Sequence, residues 1–133
     1  MLVNFKTDLV RGHRAEQIVK DVFTALTNDY TFEDVSNTPS CYHKGDILAT
    51  AANGKQTYIE VKNDSRIAET KNVLCEEEVY MYDGDYYNKG SMYSDYEIYC
   101  VVSEPEHKIY VFDFKILKEH YKSGEFKRIK HYD

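Results

Sequence analysis

The sequence predicts an α/β domain of three layers, a central mixed β-sheet flanked by helices. Three observations carry that prediction. Ala15, Ile18, Val19, Val22, Phe23 and Leu26 recur at three- and four-residue spacing, the single apolar stripe of an amphipathic helix. Asn53-Gly54 separates two short apolar segments, as a hairpin turn does, because both residues tolerate positive φ. The run Ile98-Tyr99-Cys100-Val101-Val102 reads as a buried strand, with a second strand and a helix after it. Helix first, then a strand hairpin, then strands and a helix is an order that layers helices on a sheet. A chain of 133 residues makes one domain with one core, residues 1–133.

Taken in order, the first helix spans residues 7–27, with Thr7 or Asp8 as its cap. Gly12 inside it points to a close neighbour. Glu16 lies on the flank of the apolar stripe, at the boundary between core and solvent, and Lys20 stands four residues on as a possible ion-pair partner. Tyr30, Phe32 and Val35 alternate, giving a short strand over 30–35. The turn-rich segment 37–44 leads into the hairpin, whose strands contain Ile47 and Leu48 on one side and Tyr58, Ile59 and Val61 on the other. Residues 63–72 form a polar loop with one helical turn at most, and 73–80 a further strand. The Tyr-, Asp- and Gly-rich segment 81–95 is a loop or long hairpin tip. Strands over 96–103 and 108–114 pair through the Pro105 turn. A helix over 114–121 points Ile116 and Leu117 inward, and a last strand or arm covers 126–132.

The hairpin carries the chemistry. Asp46, Glu60 and Lys62 are charged where such a strand pair would otherwise be apolar or neutral. Glu60 and Lys62 share a face, being two apart on one strand. A three-residue loop of Ala52, Asn53 and left-handed Gly54 sets Asp46 opposite Glu60, as would a bulge in either strand, whereas a two-residue loop sets it opposite Val61. The three-residue loop is the expectation. Carboxylates facing across a sheet repel, and a hard divalent cation such as Mg²⁺, which takes oxygen ligands, offsets that repulsion. A lysine beside such an ion stabilises a hydroxide or the charge that develops on phosphorus. The chemistry indicated is metal-assisted attack of water on a phosphodiester, against the plainer alternative of an exposed hairpin face with ordinary ion pairs.

Gly45-Asp46, one hairpin turn, then Glu60-Val61-Lys62 resembles the PD-(D/E)XK nuclease superfamily, with Gly45 where the family's proline would stand. The resemblance covers roughly residues 9–103. It implies a restriction-endonuclease-like core in which Asp46 and Glu60 bind Mg²⁺ (or Mn²⁺ in its place), the Val61 carbonyl helps, and Lys62 positions the nucleophilic water. Glu16 matches the first-helix glutamate that often completes the metal site. Thr70-Lys71-Asn72-Val73-Leu74-Cys75-Glu76 and Ser91-x-x-Ser94-Asp95-Tyr96 resemble a phage-type subgroup, Lys71 standing where its glycine would be. Lys44, Arg66, Lys71 and Asn72 are the candidate DNA contacts, with Tyr42, His43 and Glu76 nearby. The function implied is a metal-dependent DNA endonuclease. Cutting both strands, or a branched junction, calls for a homodimer.

The net charge of −6 weighs weakly against nucleic-acid binding, but the charge is unevenly distributed. Glu76, Glu77, Glu78, Asp83, Asp85, Asp95, Glu97, Glu104 and Glu106 face only Lys89 between 76 and 106. The segment 114–132 holds Lys115, Lys118, Lys122, Lys127, Arg128 and Lys130 against Glu119 and Glu125. Cys41, Cys75 and Cys100 are odd in number and widely spaced. They indicate a reducing compartment and packing roles, hence a cytoplasmic protein, in the host cell if phage-encoded. Cys41-Tyr42-His43 lacks the second ligand pair of a zinc site, and Asp83-Gly84-Asp85 lacks the closing glutamate of a calcium loop. No apolar run reaches membrane-spanning length, and residues 1–10 lack the apolar core of a signal peptide. Two other readings fit the composition: a non-catalytic nucleic-acid-binding or protein-interaction domain on the same fold, and an acidic DNA mimic.

Overall fold

A computed structural model describes residues 5–41, 44–71, 73, 78–80, 87–89 and 96–122. Helix α1 spans Phe5–Leu26 and is followed by strands β1 (Tyr30–Asp34), β2 (Ile47–Ala51) and β3 (Gln56–Asn63). A one-turn helix α2 (Ile67–Thr70) comes next, then the short strands β4 (Glu78–Tyr80) and β5 (Tyr87–Lys89). Strands β6 (Ile98–Ser103) and β7 (Lys108–Asp113) and helix α3 (Phe114–Lys122) complete the described chain. The main sheet has the order β1-β2-β3-β6-β7. Its first three strands form an antiparallel meander, β6 runs parallel to β3, and β7 returns antiparallel. Strands β4 and β5 form a separate antiparallel pair; β4 falls within the strand expected over 73–80, whereas β5 lies in the segment read as a loop or long hairpin tip. The fold is therefore α/β around a five-stranded mixed sheet.

Alternation along the strands divides the core into two halves. Ile47, Ala49, Ile59, Val61, Cys100 and Val102 pack on one face against Ala15 and Val19 of α1. Tyr99 and Val101 point to the other face, where Ile67, Tyr96 and Phe114 bury with them and Tyr58, Tyr110, Phe112 and Leu117 pack around the edge. The Phe114 ring lies 4.2 Å from Tyr96 and 5.9 Å from Tyr99, the latter pair nearly parallel. Burial pushes the Cys100 thiol up to about 12, so it is the inert packing residue expected.

The helix stripe is only partly covered. Ala15 and Val19 are fully buried, but Val22 is 39% and Leu26 75% exposed. A 22-residue helix is about 33 Å long, whereas five to eight strand residues reach about 17–27 Å. The last turn stands over an open apolar groove, which Phe23, Leu26 and Thr27 line together with Tyr30, Phe32, Ala49, Ile59 and Ile98 of the sheet. Gly12 meets no neighbour within 4 Å, so the close approach expected there is absent. In α3 it is Phe114 and Leu117 that pack inward, while Ile116 is 53% exposed. Asp113 caps that helix, accepting from the N–H groups of Lys115 (2.9 Å) and Ile116 (3.3 Å). Among the described residues, no helix is long and apolar enough to cross a membrane.

Candidate functional site

The turn between β2 and β3 has the expected geometry. Ala51 and Lys55 close a loop of Ala52, Asn53 and Gly54, with the Ala51 N–H donating to the Lys55 carbonyl at 2.8 Å. Gly54 takes φ +87°, and Ile47 pairs with Ile59. The register does not continue to Asp46 and Glu60, however. The Asp46 N–H also donates to the Ile59 carbonyl, at 2.8 Å, so Asp46 and Ile47 both face one residue of β3. This is a β-bulge. It forms where Gly45, at φ +142°, presses against the Ile59 peptide; a Cβ there would lie 3.0 Å from the Ile59 oxygen.

The bulge redirects the Asp46 side chain. Its Oδ2 accepts a hydrogen bond from the Val61 N–H at 2.9 Å. A strand N–H points along the plane of its sheet, so the acceptor lies at the sheet's end, in the gap where β2 leaves β3. There it replaces the backbone partner that β2 no longer supplies. The expected face-to-face pairing of Asp46 with Glu60 is thus corrected: the aspartate sits between the two faces.

Glu16 reaches the gap from α1. It is only 7% exposed. Burial, and next the negative charge of Asp46, raise its carboxyl to about 7. Ser36 Oγ donates to Glu16 Oε2 (3.0 Å), and His13 Nδ1 lies 3.3 Å from the same oxygen. Ser36 and His13, rather than Lys20, are the side chains that Glu16 bonds among the described residues. Ser36 Oγ also lies 2.6 Å from Asp34 Oδ1. Burial works against ionisation of Asp34, but its bonds with Ser36 hold its pKa below the ordinary value.

Glu60 and Lys62 do share a face, with Lys62 Nζ 3.9 Å from Glu60 Oε1. Since Ile59 and Val61 pack against α1, that face is the one turned away from Glu16. Lys44 lies on the same side, its Nζ 5.8 Å from the Tyr58 ring centroid. The predicted set is therefore gathered in two groups that meet at Val61: Glu16 with Asp46, and Glu60 with Lys62. Among the described residues, no three His, Cys, Asp or Glu side chains are grouped closely enough to hold a metal ion. The carboxylate and hydroxyl groups at the gap nonetheless offer oxygen, the kind of donor a hard cation takes, with the His13 ring nitrogen beside Glu16.

Two further candidate DNA contacts, Arg66 and Lys71, lie beyond β3. Arg66 Nε is 3.7 Å from Asp64 Oδ1, and Lys71 Nζ is 3.1 Å from Glu106 Oε2. Lys71, which occupies the glycine position of the resemblance, has φ +56°, a left-handed conformation that glycine adopts freely. Tyr42, His43, Asn72, Cys75, Glu76, Met81 to Tyr86, Gly90 to Asp95 and the basic segment 123–132 lie outside the described residues.

Sequence reasoning missed a polar clasp that ties α1 to this end of the sheet. Asn63 Nδ2 donates to the Arg11 carbonyl (3.0 Å) and to Glu104 Oε1 (3.3 Å), and Arg11 Nη2 donates to Ser65 Oγ (2.8 Å). Arg14 binds both oxygens of Glu104, which lowers the Glu104 pKa. Asn63 Oδ1 is buried without a hydrogen-bond partner among the described residues. No family model, curated protein or solved structure matches this chain.

Proposed function

We propose that this protein is a Mg²⁺-dependent DNA endonuclease with a restriction-endonuclease-like core, hydrolysing phosphodiester bonds at the gap between β2 and β3. The single observation that supports this most is the Asp46 carboxylate turned onto the Val61 N–H, beside Glu16 and one residue from both Glu60 and Lys62. Burial of two acids together is unfavourable unless protons or cations neutralise them. Glu16 and Asp46, with the Val61 carbonyl, are the donors that would hold Mg²⁺ or Mn²⁺; Glu60, the further donor the resemblance implies, lies beside Lys62 on the other face and would reach such an ion only through a water. A bound cation would lower the pKa of a water and polarise the phosphoryl oxygen. The roles of the chain's own groups follow. Lys62 orients the attacking water and offsets charge growing on the phosphoryl oxygens. The bulge at Asp46 fixes the aspartate in the gap. The clasp of Asn63, Arg11, Arg14 and Glu104 holds α1, and so Glu16, against it. Lys44, Arg66 and Lys71, with Asn72, are the groups offered to the phosphate backbone.

Helices on both faces of the mixed sheet, and a left-handed residue at Lys71, support the same reading. Cutting both strands would take a homodimer. The test is cleavage of supercoiled, single-stranded and branched DNA with Mg²⁺, Mn²⁺ or EDTA. Nicking or cutting that requires the metal and disappears in Lys62→Ala, with DNA binding retained, is the expected result. Binding without cleavage under any of these conditions would favour a non-catalytic nucleic-acid-binding domain instead.

A further inference from the structure

Four donors converge on one carboxylate at the β6–β7 turn. Glu106 Oε1 accepts from Ser103 Oγ at 3.0 Å and lies 3.0 Å from the Tyr110 hydroxyl, which is 3.1 Å from Oε2. Lys71 Nζ lies 3.1 Å and Lys108 Nζ 3.6 Å from Oε2. The Lys71 bond above all, helped by Ser103 and Tyr110, lowers the Glu106 carboxyl to about 2. Two cations and two hydroxyls aimed at one point suit a tetrahedral oxyanion at least as well as a planar carboxylate. Ser103 is fully buried and so fixed in place. Both non-glycine residues with positive φ among the described residues, Lys71 (+56°) and His107 (+55°), border this cradle. Lys71 is there as the left-handed C-cap of α2, its N–H donating to the Ile67 carbonyl, and His107 closes the β6–β7 turn, its N–H donating to the Glu104 carbonyl.

The cradle shares a face with Lys62. Lys62 pairs with Val101 and Val101 with Tyr110, so Tyr110 stands two strand spacings, about 10 Å, from Lys62. Duplex phosphates recur about every 3.4 Å per strand along the axis, which puts the cradle within about three nucleotides of a phosphate presented to Lys62. We infer that Ser103, Tyr110, Lys71 and Lys108 form a backbone-phosphate site of a nucleic-acid strand, in which Glu106 is a placeholder that the phosphate displaces. The position relative to the cut rests on the endonuclease reading; the binding itself does not.

The experiment measures binding of a fluorescent oligonucleotide by anisotropy in EDTA, so that no cleavage intervenes. Glu106→Gln is expected to tighten binding at least fivefold, against less than twofold for Glu69→Gln, an exposed acid on α2 outside the cradle. Adding Lys71→Ala and Lys108→Ala to Glu106→Gln removes that gain and reduces the salt slope by about 2. In the wild-type background the same two lysine changes, both at exposed positions, weaken binding at least threefold. Inorganic phosphate competes with the oligonucleotide only while both lysines are present. The inference fails if Glu106→Gln gains no more than Glu69→Gln, if the gain survives loss of the lysines, or if the lysine pair is without effect in the wild type. It also fails if inorganic phosphate binds the cradle while the oligonucleotide does not. Glu106-dependent binding without metal-dependent cleavage would overturn the endonuclease reading and leave this one standing; cleavage with no Glu106 effect would do the reverse.

Discussion

The carboxylate of Asp46 accepts a hydrogen bond from the backbone N–H of Val61, 2.9 Å away. One side chain thereby both completes the ladder where β2 ends and places a negative charge beside Glu16. These two roles separate by mutation. Asp46→Asn keeps an oxygen acceptor for the Val61 N–H and removes the charge. It should fold with a melting temperature close to the wild type and lose at least about a hundredfold in cleavage rate, the loss of about 2.7 kcal/mol of transition-state stabilisation. Asp46→Ala leaves the N–H unpaired and should also cost about 1–3 kcal/mol in stability. Thermal denaturation and cleavage assays on the two variants check this.

Gly45 and Gly12 should respond in opposite directions to alanine. At Gly45 the new Cβ meets the Ile59 peptide at 3.0 Å on a backbone of φ +142°, so Gly45→Ala should destabilise by about 2 kcal/mol or more. At Gly12 the new methyl group meets open space inside a helix, so Gly12→Ala should stabilise by about 0.5–1 kcal/mol. Urea denaturation with unchanged slope reads both values.

This contrast marks what the sequence made legible. The three-residue loop follows from local chemistry: Gly54 supplies a positive φ, and the Asn53 side chain accepts from the Lys55 N–H at 3.0 Å. The strands around it and the helix stripe follow from periodicity. The bulge at Asp46 depends on how Gly45 packs against Ile59, a contact fourteen residues away that leaves no periodic trace. The same holds for the Ser36 bond to Glu16 and the clasp through Asn63, which join residues distant in sequence. Glu16 was legible as a boundary residue, but its burial depends on what β1 and β2 place over it.

Glu16 gives the protein a pH-dependent stability whose sign is fixed by the shift. Its carboxyl is raised from 4.5 to about 7 in the folded state. Between those values the folded protein keeps a proton that the unfolded chain has released, so stability falls as pH rises from about 4.5 through about 7. Glu16→Gln should flatten this dependence and raise stability at pH 8 by roughly 1–2 kcal/mol. Melting temperatures of the two proteins between pH 4.5 and 8 provide the check.

Asn63 should act on the site through α1. Asn63→Ala removes the bonds to Arg11 and Glu104, freeing the helix that carries Glu16. Stability should fall by about 1–2 kcal/mol, and metal-dependent cleavage should need a higher Mg²⁺ concentration for half-maximal rate, with maximal rate largely kept. A Mg²⁺ titration of the initial rate separates this from simple unfolding, which would lower the maximal rate instead.

The most direct measurement is calorimetric titration of Mn²⁺ into the wild type, Glu16→Gln and Asp46→Asn in two buffers of different ionisation enthalpy at pH 6.5. The account predicts one or more sites in the wild type that release protons on binding, because Glu16 must give up its own. It predicts affinity lowered at least tenfold in Asp46→Asn, and proton release abolished in Glu16→Gln. Wild-type protein that takes up no Mn²⁺, or takes it up equally well in both variants, would contradict the central claim that these two carboxylates hold the ion.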